Sequence, residues 1–189
     1  MSLVTIDDFD LEPYNIPNLD QVENTFPLFI AQEEDIVLNK ILGRLLATKF
    51  VAGIIPDEPE ERWKNLRDGV LYSYQDKKYY FDGLKKAMVP YIFFKWMEIL
   101  VESKTGIGVV SSSSENATTV SPEFVLSRSF NDYVCKVGSW KKQKDSLFGY
   151  LYNSESIYID DVSEYGYSSI KTYMDDYFQT SRSRNSFGL

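Results

Sequence analysis

Histidine is absent from the 189-residue chain, and cysteine occurs once, as Cys135. Histidine is the commonest general base near neutral pH and the commonest ligand for transition metals in proteins. A single cysteine forms neither a disulfide within the chain nor a cysteine-rich zinc site. The composition therefore argues against these kinds of catalysis and metal binding, and we expect no cofactor. We predict that Cys135 is a small buried side chain rather than a nucleophile.

Long apolar runs are also missing. The longest one covers residues 87–94 and contains Pro90, whereas a helix that spans a bilayer needs about 20 apolar residues. The first eight residues have neither the basic start nor the apolar core of a signal peptide. We therefore expect no membrane association and a cytoplasmic location.

Positive charge is scarce in the first third of the chain. Residues 1–68 hold 14 Asp or Glu and six Lys or Arg, which accounts for the whole net charge of −8, while residues 69–189 hold 14 of each. An acidic surface repels phosphate backbones. The N-terminal third is therefore predicted either to keep DNA from adhering or simply to favour solubility.

One basic patch stands against this acidic background, and it consists of Lys136, Lys141, Lys142 and Lys144, with Trp140 among them. Lysines interleaved with an aromatic residue are typical of single-strand binding. The alternatives are a solvated helix end and contact with an acidic neighbour, such as the N-terminal third of a second copy. Such head-to-tail contacts close into rings or extend into filaments.

Apolar periodicity predicts a mostly α protein, a helical bundle with a small β-hairpin and a long flexible loop between two helices. The two amphipathic stretches beside that loop are Asp82–Lys104 and Ser121–Trp140. Alternating aromatic residues in Val70–Phe81, around a polar turn, predict the hairpin. The loop, residues 103–120, exceeds the usual length of a structureless connection. We therefore expect it to become ordered against a partner.

The first half of the chain carries more detailed signals. A long helix is predicted after Asn24, with Gln32–Asp35 facing water and Gly43 weakening the helix. Gly53 is the predicted C-cap of that helix. A short helix is predicted over Glu60–Gly69.

The predicted organisation is a helical domain over residues 1–150 and an extension over residues 151–189. The domain begins with an extended arm, residues 1–23, that has one helical turn after Thr5. The segment Tyr150–Tyr177 holds seven of the 14 tyrosines. Tyrosine is enriched in interfaces, so this segment is either a contact surface or a set of core aromatics.

No pattern of residues predicts an active site. Adjacent acids such as Asp160 and Asp161 point to different faces of a helix or strand and seldom share one site. The segment Thr105-Gly-Ile-Gly108 lacks the lysine and the strand–helix frame of a phosphate-binding loop. We therefore expect no enzymatic activity.

The order of features resembles a protein family. A Pro-containing acidic arm precedes Lys40-Ile-Leu-Gly-Arg-Leu-Leu46, a Tyr-rich hairpin leads to Phe81-Asp-Gly-Leu-Lys85, and an apolar helix leads to Lys104-Thr-Gly-Ile-Gly-Val-Val110. The chain closes on Asn185-Ser-Phe-Gly-Leu189. This order is similar to that of small head–tail connector (adaptor) proteins of tailed phages and prophages of gut bacteria.

The resemblance implies a helical subunit that forms a ring beneath the portal protein and offers a platform to a tail-completion protein. It implies a channel through which DNA passes without specific binding, and a location in the host cytoplasm during assembly and then in the virion. We expect the contacts to come from the loop and from the C-terminal tail, namely Gly106, Ile107, Gly108, Val109, Val110, Phe187 and Leu189.

Two other non-enzymatic interpretations remain open from the sequence, beside that of an enzyme that uses carboxylates alone, for which no substrate is suggested. One is a non-enzymatic prophage adaptor or regulatory module that binds a single protein partner. The other is a weak nucleic-acid binder that uses Lys136–Lys144, for which binding should be sensitive to salt.

Overall fold

The chain is a helical bundle with one β-hairpin in a computed structural model that describes residues 2–10, 12–16, 24–105, 122–138, 144–154 and 157–158, with the backbone alone for 101–105 and 122–123. Within these ranges the elements are α1 (Phe26–Ile54), α2 (Glu61–Asp68), β1 (Val70–Tyr74), β2 (Lys77–Phe81), α3 (Leu84–Thr105), α4 (Pro122–Val137) and α5 (Leu147–Asn153). They confirm the predicted mostly α fold with a small hairpin. Most of the predicted loop at 103–120 lies outside the described residues. No helix in the described ranges is both long enough and apolar enough to cross a bilayer.

Helix α1 is broken at Gly43, where the backbone has a φ of 73° and a ψ of 154°. Only glycine adopts that combination at low cost. The predicted weak point in this helix is therefore a kink between two helical halves. The helix begins at Phe26, and Pro27 lies in its first turn, where the missing N–H has no partner to lose.

Two acids of α1 contradict the prediction that Gln32–Asp35 faces water. Glu33 and Glu34 are each only 7% exposed. The Glu34 carboxylate accepts hydrogen bonds from the backbone N–H of Leu3, at 2.9 Å, and of Val4, at 3.1 Å. The arm covers this face of α1 and supplies these donors from about 30 residues away, so the periodicity of the helix does not reveal them.

The described part of the arm belongs to the core. Its apolar side chains Leu3, Val4, Phe9 and Ile16 are buried. Thr5 precedes a 3₁₀ turn over Ile6–Phe9, as predicted, and the Asp8 carboxylate accepts the Thr5 backbone N–H at 2.8 Å. Burial of these side chains stabilises the arm against the bundle in proportion to the apolar area removed from water.

The second half of α1 packs against α2. Gly53 is not the predicted C-cap, because α1 continues to Ile54. A Cβ atom at Gly53 would lie 2.3 Å from the indole ring of Trp63. The glycine therefore allows the two helices to approach closely, and Trp63 and Leu66 of α2 are buried as a result.

Helices α3 and α4 pack antiparallel to each other. Tyr91 contacts Tyr133, with ring centroids 5.0 Å apart, and Phe94 contacts Phe130 at 5.2 Å. Moving from the first pair to the second, the residue number increases in α3 and decreases in α4, so the two helices run in opposite directions. Helix α4 ends at Val137, because Gly138 takes a φ of 66° and leaves the helical conformation.

The hairpin pairs β1 with β2 in antiparallel register, from Val70 opposite Phe81 to Tyr74 opposite Lys77. Gln75 and Asp76 form the two-residue turn, and both have positive φ, 50° and 60°. Positive φ at both central residues is the feature of a type I′ turn, whose twist matches that of the strands.

Helix α5 closes the described part of the core. Ser146 caps it by accepting the Gly149 N–H at 3.2 Å. The predicted boundary between the helical domain and the C-terminal extension, after residue 150, falls inside this helix. Beyond it, Tyr158 is fully buried, and its hydroxyl donates to the Arg62 carbonyl at 2.8 Å.

Candidate interaction surfaces

Most of the predicted contact residues lie outside the described part of the chain. These are residues 106–110 of the loop, Phe187 and Leu189 of the tail, and Lys141 and Lys142 of the basic patch. Their roles stay predictions. The described residues contain the rest of the basic patch, Cys135 and three surfaces with exposed apolar side chains.

The two described lysines of the basic patch are engaged within the subunit. The Nζ atom of Lys136 lies 3.4 Å from a carboxylate oxygen of Asp82. Lys144 lies over the rings of Tyr74 and Tyr152, at 4.7 and 5.4 Å from their centroids. A carboxylate partner offsets part of the attraction of Lys136 for phosphate. Nucleic-acid binding through Lys136–Lys144 stays a prediction, and these contacts do not favour it.

Cys135 is exposed, so the prediction of a buried side chain is wrong. Helix α4 turns Tyr133 and Val137 toward the core. Cys135 lies two residues from each of them, and two residues correspond to about 200° around a helix, which places it on the outer side. It borders a polar depression of about 220 Å³ that is also lined by Asp82 and Asp145.

The inner face of the hairpin packs on α5. Phe81 stacks on the Tyr150 ring at 4.8 Å, and Tyr72 meets the same ring edge-on at 5.3 Å. The Tyr72 hydroxyl donates to the carbonyl of Lys144 and accepts from the Asn153 amide at 3.3 Å. Burial raises the pKa of Tyr72 above its usual value. This face is thereby fixed to the bundle.

The outer face of the hairpin is exposed. Directly opposite residues share a face of the sheet, so Leu71 and Tyr80 form one outward pair, and Ser73 and Lys78 form the next. Leu71 is 58% exposed and Tyr80 is 53% exposed. We call Leu71, Ser73, Lys78 and Tyr80 the hairpin patch.

A second surface lies at the C-terminal end of α1. Val51 is 42% exposed and Ile55 is 66% exposed. These residues are four positions apart and therefore lie on one side of the helix. The exposed acids Asp57 and Glu58 follow after Pro56. We call Val51, Ile55, Asp57 and Glu58 the acidic patch.

A third surface is an apolar groove of about 230 Å³ between the arm and α4, lined in part by Tyr14, Phe93, Phe124 and Arg128. Phe124 is 61% exposed beside it. The Tyr14 hydroxyl donates to the Asp132 carboxylate at 2.8 Å, which ties the arm to α4. Burial, followed by this hydrogen bond, raises the pKa of Tyr14.

The hairpin and acidic patches were not predicted, although the sequence holds signals for both. In the hairpin, one alternating set of six residues has four aromatic members, Tyr72, Tyr74, Tyr79 and Phe81, and the other set contains Leu71, Ser73, Lys78 and Tyr80. The more apolar set should face the core, since register is set by the buried face. For the acidic patch, the signal is a pair of apolar residues four positions apart, Val51 and Ile55, followed by an acidic loop.

Comparison of the chain with protein-family models, with curated proteins and with solved structures finds no match. The resemblance to connector proteins therefore rests on the order of features in the sequence.

Proposed function

We propose that this chain is a structural, non-enzymatic subunit of a tailed-phage particle, a head–tail connector that forms a ring between the portal and the tail. In this proposal each copy contacts the two adjacent copies in the ring, and it also contacts the portal protein and a tail-completion protein. DNA passes through the ring without specific binding, and assembly takes place in the host cytoplasm before the subunit becomes part of the virion.

The observation that carries the proposal is the distribution of exposed apolar side chains over separate surfaces. Single exposed apolar residues are normal in soluble proteins. Here Leu28 at the start of α1, the acidic patch, the hairpin patch and Phe124 beside the groove each present an apolar side chain that is more than half exposed. A ring subunit needs several distinct contact surfaces, whereas a module with one partner needs only one.

The charge of the chain supports the same proposal. The net charge is −8, and all of it arises in residues 1–68. Acidic groups that face a channel would repel the DNA backbone and keep it from adhering during passage. An acidic exterior would favour solubility instead, so the charge supports the proposal without carrying it.

The test is the mass of the purified protein by size-exclusion chromatography with light scattering over a wide concentration range. The same measurement is repeated after addition of the portal protein of the same phage. We expect a closed oligomer of discrete mass, either from the protein alone or with the portal as template. Imaging should then show a ring with an open channel.

A chain that stays monomeric at every concentration and does not bind the portal would overturn the proposal. A labelled DNA strand added at low salt serves as a second readout. We expect no binding, and binding that weakens steeply with added salt would favour the nucleic-acid alternative.

A further inference from the structure

We infer that neighbouring copies of this chain contact each other head to tail, with the hairpin patch of one copy seated on the acidic patch of the next. The inference rests on the proposed function, in which copies form a ring, and it names the two surfaces that close that ring. Both surfaces consist of described residues, none of which belongs to the predicted contacts at residues 106–110 and in the tail.

The two patches complement each other chemically. Each presents a pair of apolar side chains, Leu71 with Tyr80 in one patch and Val51 with Ile55 in the other. Aromatic and aliphatic side chains that become buried at the centre of an interface supply most of its affinity. An aromatic ring opposite two branched aliphatic side chains is a suitable pairing for such a centre.

The charges beside the apolar pairs are opposite in sign. Lys78 is the cation on the outer face of the hairpin, and Asp57 and Glu58 are the anions of the acidic patch. Among the described residues, none of these three has an ion-pair partner within 4.0 Å, so their charges remain available to a neighbour. Opposite charges at an interface mainly fix its orientation and speed association.

The spacing of charge and apolar group is similar in the two patches. Lys78 lies two residues from Tyr80 along one face of a strand, a separation of about 7 Å. Asp57 lies two residues beyond Ile55, which limits their Cα atoms to about 7 Å apart. The apolar pair of one copy can therefore contact the apolar pair of the next copy while Lys78 of the first copy faces an acid of the second.

The two patches lie at opposite ends of α2. The acidic patch precedes Glu61, the first residue of this helix, and β1 begins two residues after its last residue, Asp68. A helix of eight residues is about 12 Å long, and both patches are exposed, so one copy does not satisfy its own patches. Contact between two different patches of identical chains is heterologous and repeats from copy to copy, as a ring requires.

A simpler explanation exists for Lys78 by itself. Lysine on an exposed strand protects a sheet edge from aggregation. That explanation gives no role to the Leu71–Tyr80 pair on the same face or to the acidic patch. An experiment with reciprocal charge reversal separates the two explanations.

The experiment uses two variants of the full chain, Leu71→Glu with Lys78→Glu in the hairpin patch, and Ile55→Lys with Asp57→Lys in the acidic patch. Every changed side chain is exposed, so we expect both variants to keep the helical circular dichroism and the unfolding midpoint of the wild type. Each variant alone then presents like charges at every contact. We expect the concentration of half-assembly to rise by at least about tenfold.

An equimolar mixture of the two variants restores assembly, because every contact then joins either two wild-type patches or a negative patch to a positive one. We expect the mixture to form an oligomer in which the two variants alternate, at a concentration close to that of the wild type. Val134→Glu is the matched control, because Val134 is 41% exposed on α4 and belongs to neither patch. It should assemble as the wild type does.

The outcomes distinguish this inference from the proposed function. If the wild type forms rings and both variants form them equally well, the inference is wrong and the connector proposal stands. If the variants behave as expected but the wild-type oligomer does not bind the portal, the head-to-tail contact stands and the connector proposal fails. A wild type that is monomeric with and without the portal overturns both.

Discussion

Glu34 is the residue through which the arm is fixed to α1. Its carboxylate accepts hydrogen bonds from the N–H groups of Leu3 and Val4 and from the Ser2 hydroxyl, which lies 2.7 Å away. Charge-assisted hydrogen bonds of this kind are stronger than those between neutral groups. The two backbone donors are buried, so no water replaces the carboxylate readily if it is removed.

We predict that Glu34→Ala lowers the free energy of unfolding by about 1–3 kcal/mol, the usual result of leaving buried donors without an acceptor. Glu34→Gln keeps one carbonyl acceptor and should lose less. The measurement is urea denaturation, and hydrogen exchange at the amides of Leu3 and Val4 should also become faster in Glu34→Ala.

Gln32→Ala is the matched control for this prediction. Gln32 lies two residues earlier on the same helix and is exposed, so its replacement should change stability by less than about 0.5 kcal/mol. Equal stability of Glu34→Ala and Gln32→Ala would show that the carboxylate does not hold the arm.

Among the elements, α1 contains one residue whose backbone conformation is not helical. Its two halves meet at Gly43, which is buried and has a φ of 73° with a ψ of 154°. The first half binds the arm through Glu34, and the second half packs on Trp63 of α2 through Gly53. A continuous helix would not direct both halves toward these partners, so the kink is part of the packing.

We predict that Gly43→Ala destabilises the protein by about 1–3 kcal/mol, because a side chain at this φ and ψ is strained. In a regular helix the same change stabilises by about 1 kcal/mol, so the sign of the effect reports the kink. Thermal or urea unfolding measures it. Ala52→Gly, at an exposed position of the same helix, should cost about 1 kcal/mol as in any regular helix. A more stable Gly43→Ala variant would mean that α1 is continuous.

The elements that could be predicted from the sequence are those set by local signals. Pro122 at the start of α4 and the alternating aromatics of the hairpin each act within a few residues, and the structure follows them closely. The burial of Glu34 could not be predicted, because its donors come from the arm. The exposure of Cys135 depends on which side of α4 packs on α3, and that is decided by rings more than 30 residues away, such as Tyr91.

The candidate surfaces also combine features that the sequence predicts with features that depend on distant contacts. The acidic character of the first third could be read from composition, but part of that charge, at Glu33 and Glu34, is buried and not available to a partner. The outer face of the hairpin depends on which strand face meets α5. The sequence carries local signals for such patches, but tertiary packing decides which of their side chains stay exposed.

At the scale of the molecule, we expect four buried or half-buried tyrosines of the described residues to make the fold sensitive to alkaline pH. Burial is the main cause that raises the pKa of Tyr14, Tyr72, Tyr91 and Tyr150. Tyr91 is the clearest case, because burial, followed by the negative charge of Glu33, raises its pKa to about 12. Its hydroxyl accepts a hydrogen bond from Lys40 of α1 at 2.9 Å, and its ring packs on Tyr133 of α4.

We predict that the stability contributed by the neutral form of Tyr91 is fully present below pH 10 and is lost between pH 10 and 12. An unfolded tyrosine ionises near pH 10, whereas the folded side chain keeps its proton to about pH 12. The unfolded state is therefore stabilised relative to the folded state across this interval.

Tyr91→Phe removes this contribution. Urea midpoints at a series of pH values should therefore fall more steeply for the wild type than for Tyr91→Phe, while Tyr80→Phe, at a half-exposed position, should follow the wild type. Parallel curves for the wild type and Tyr91→Phe would show that the Tyr91 hydroxyl is not protected in the fold, and the junction of α1, α3 and α4 would then be open to water.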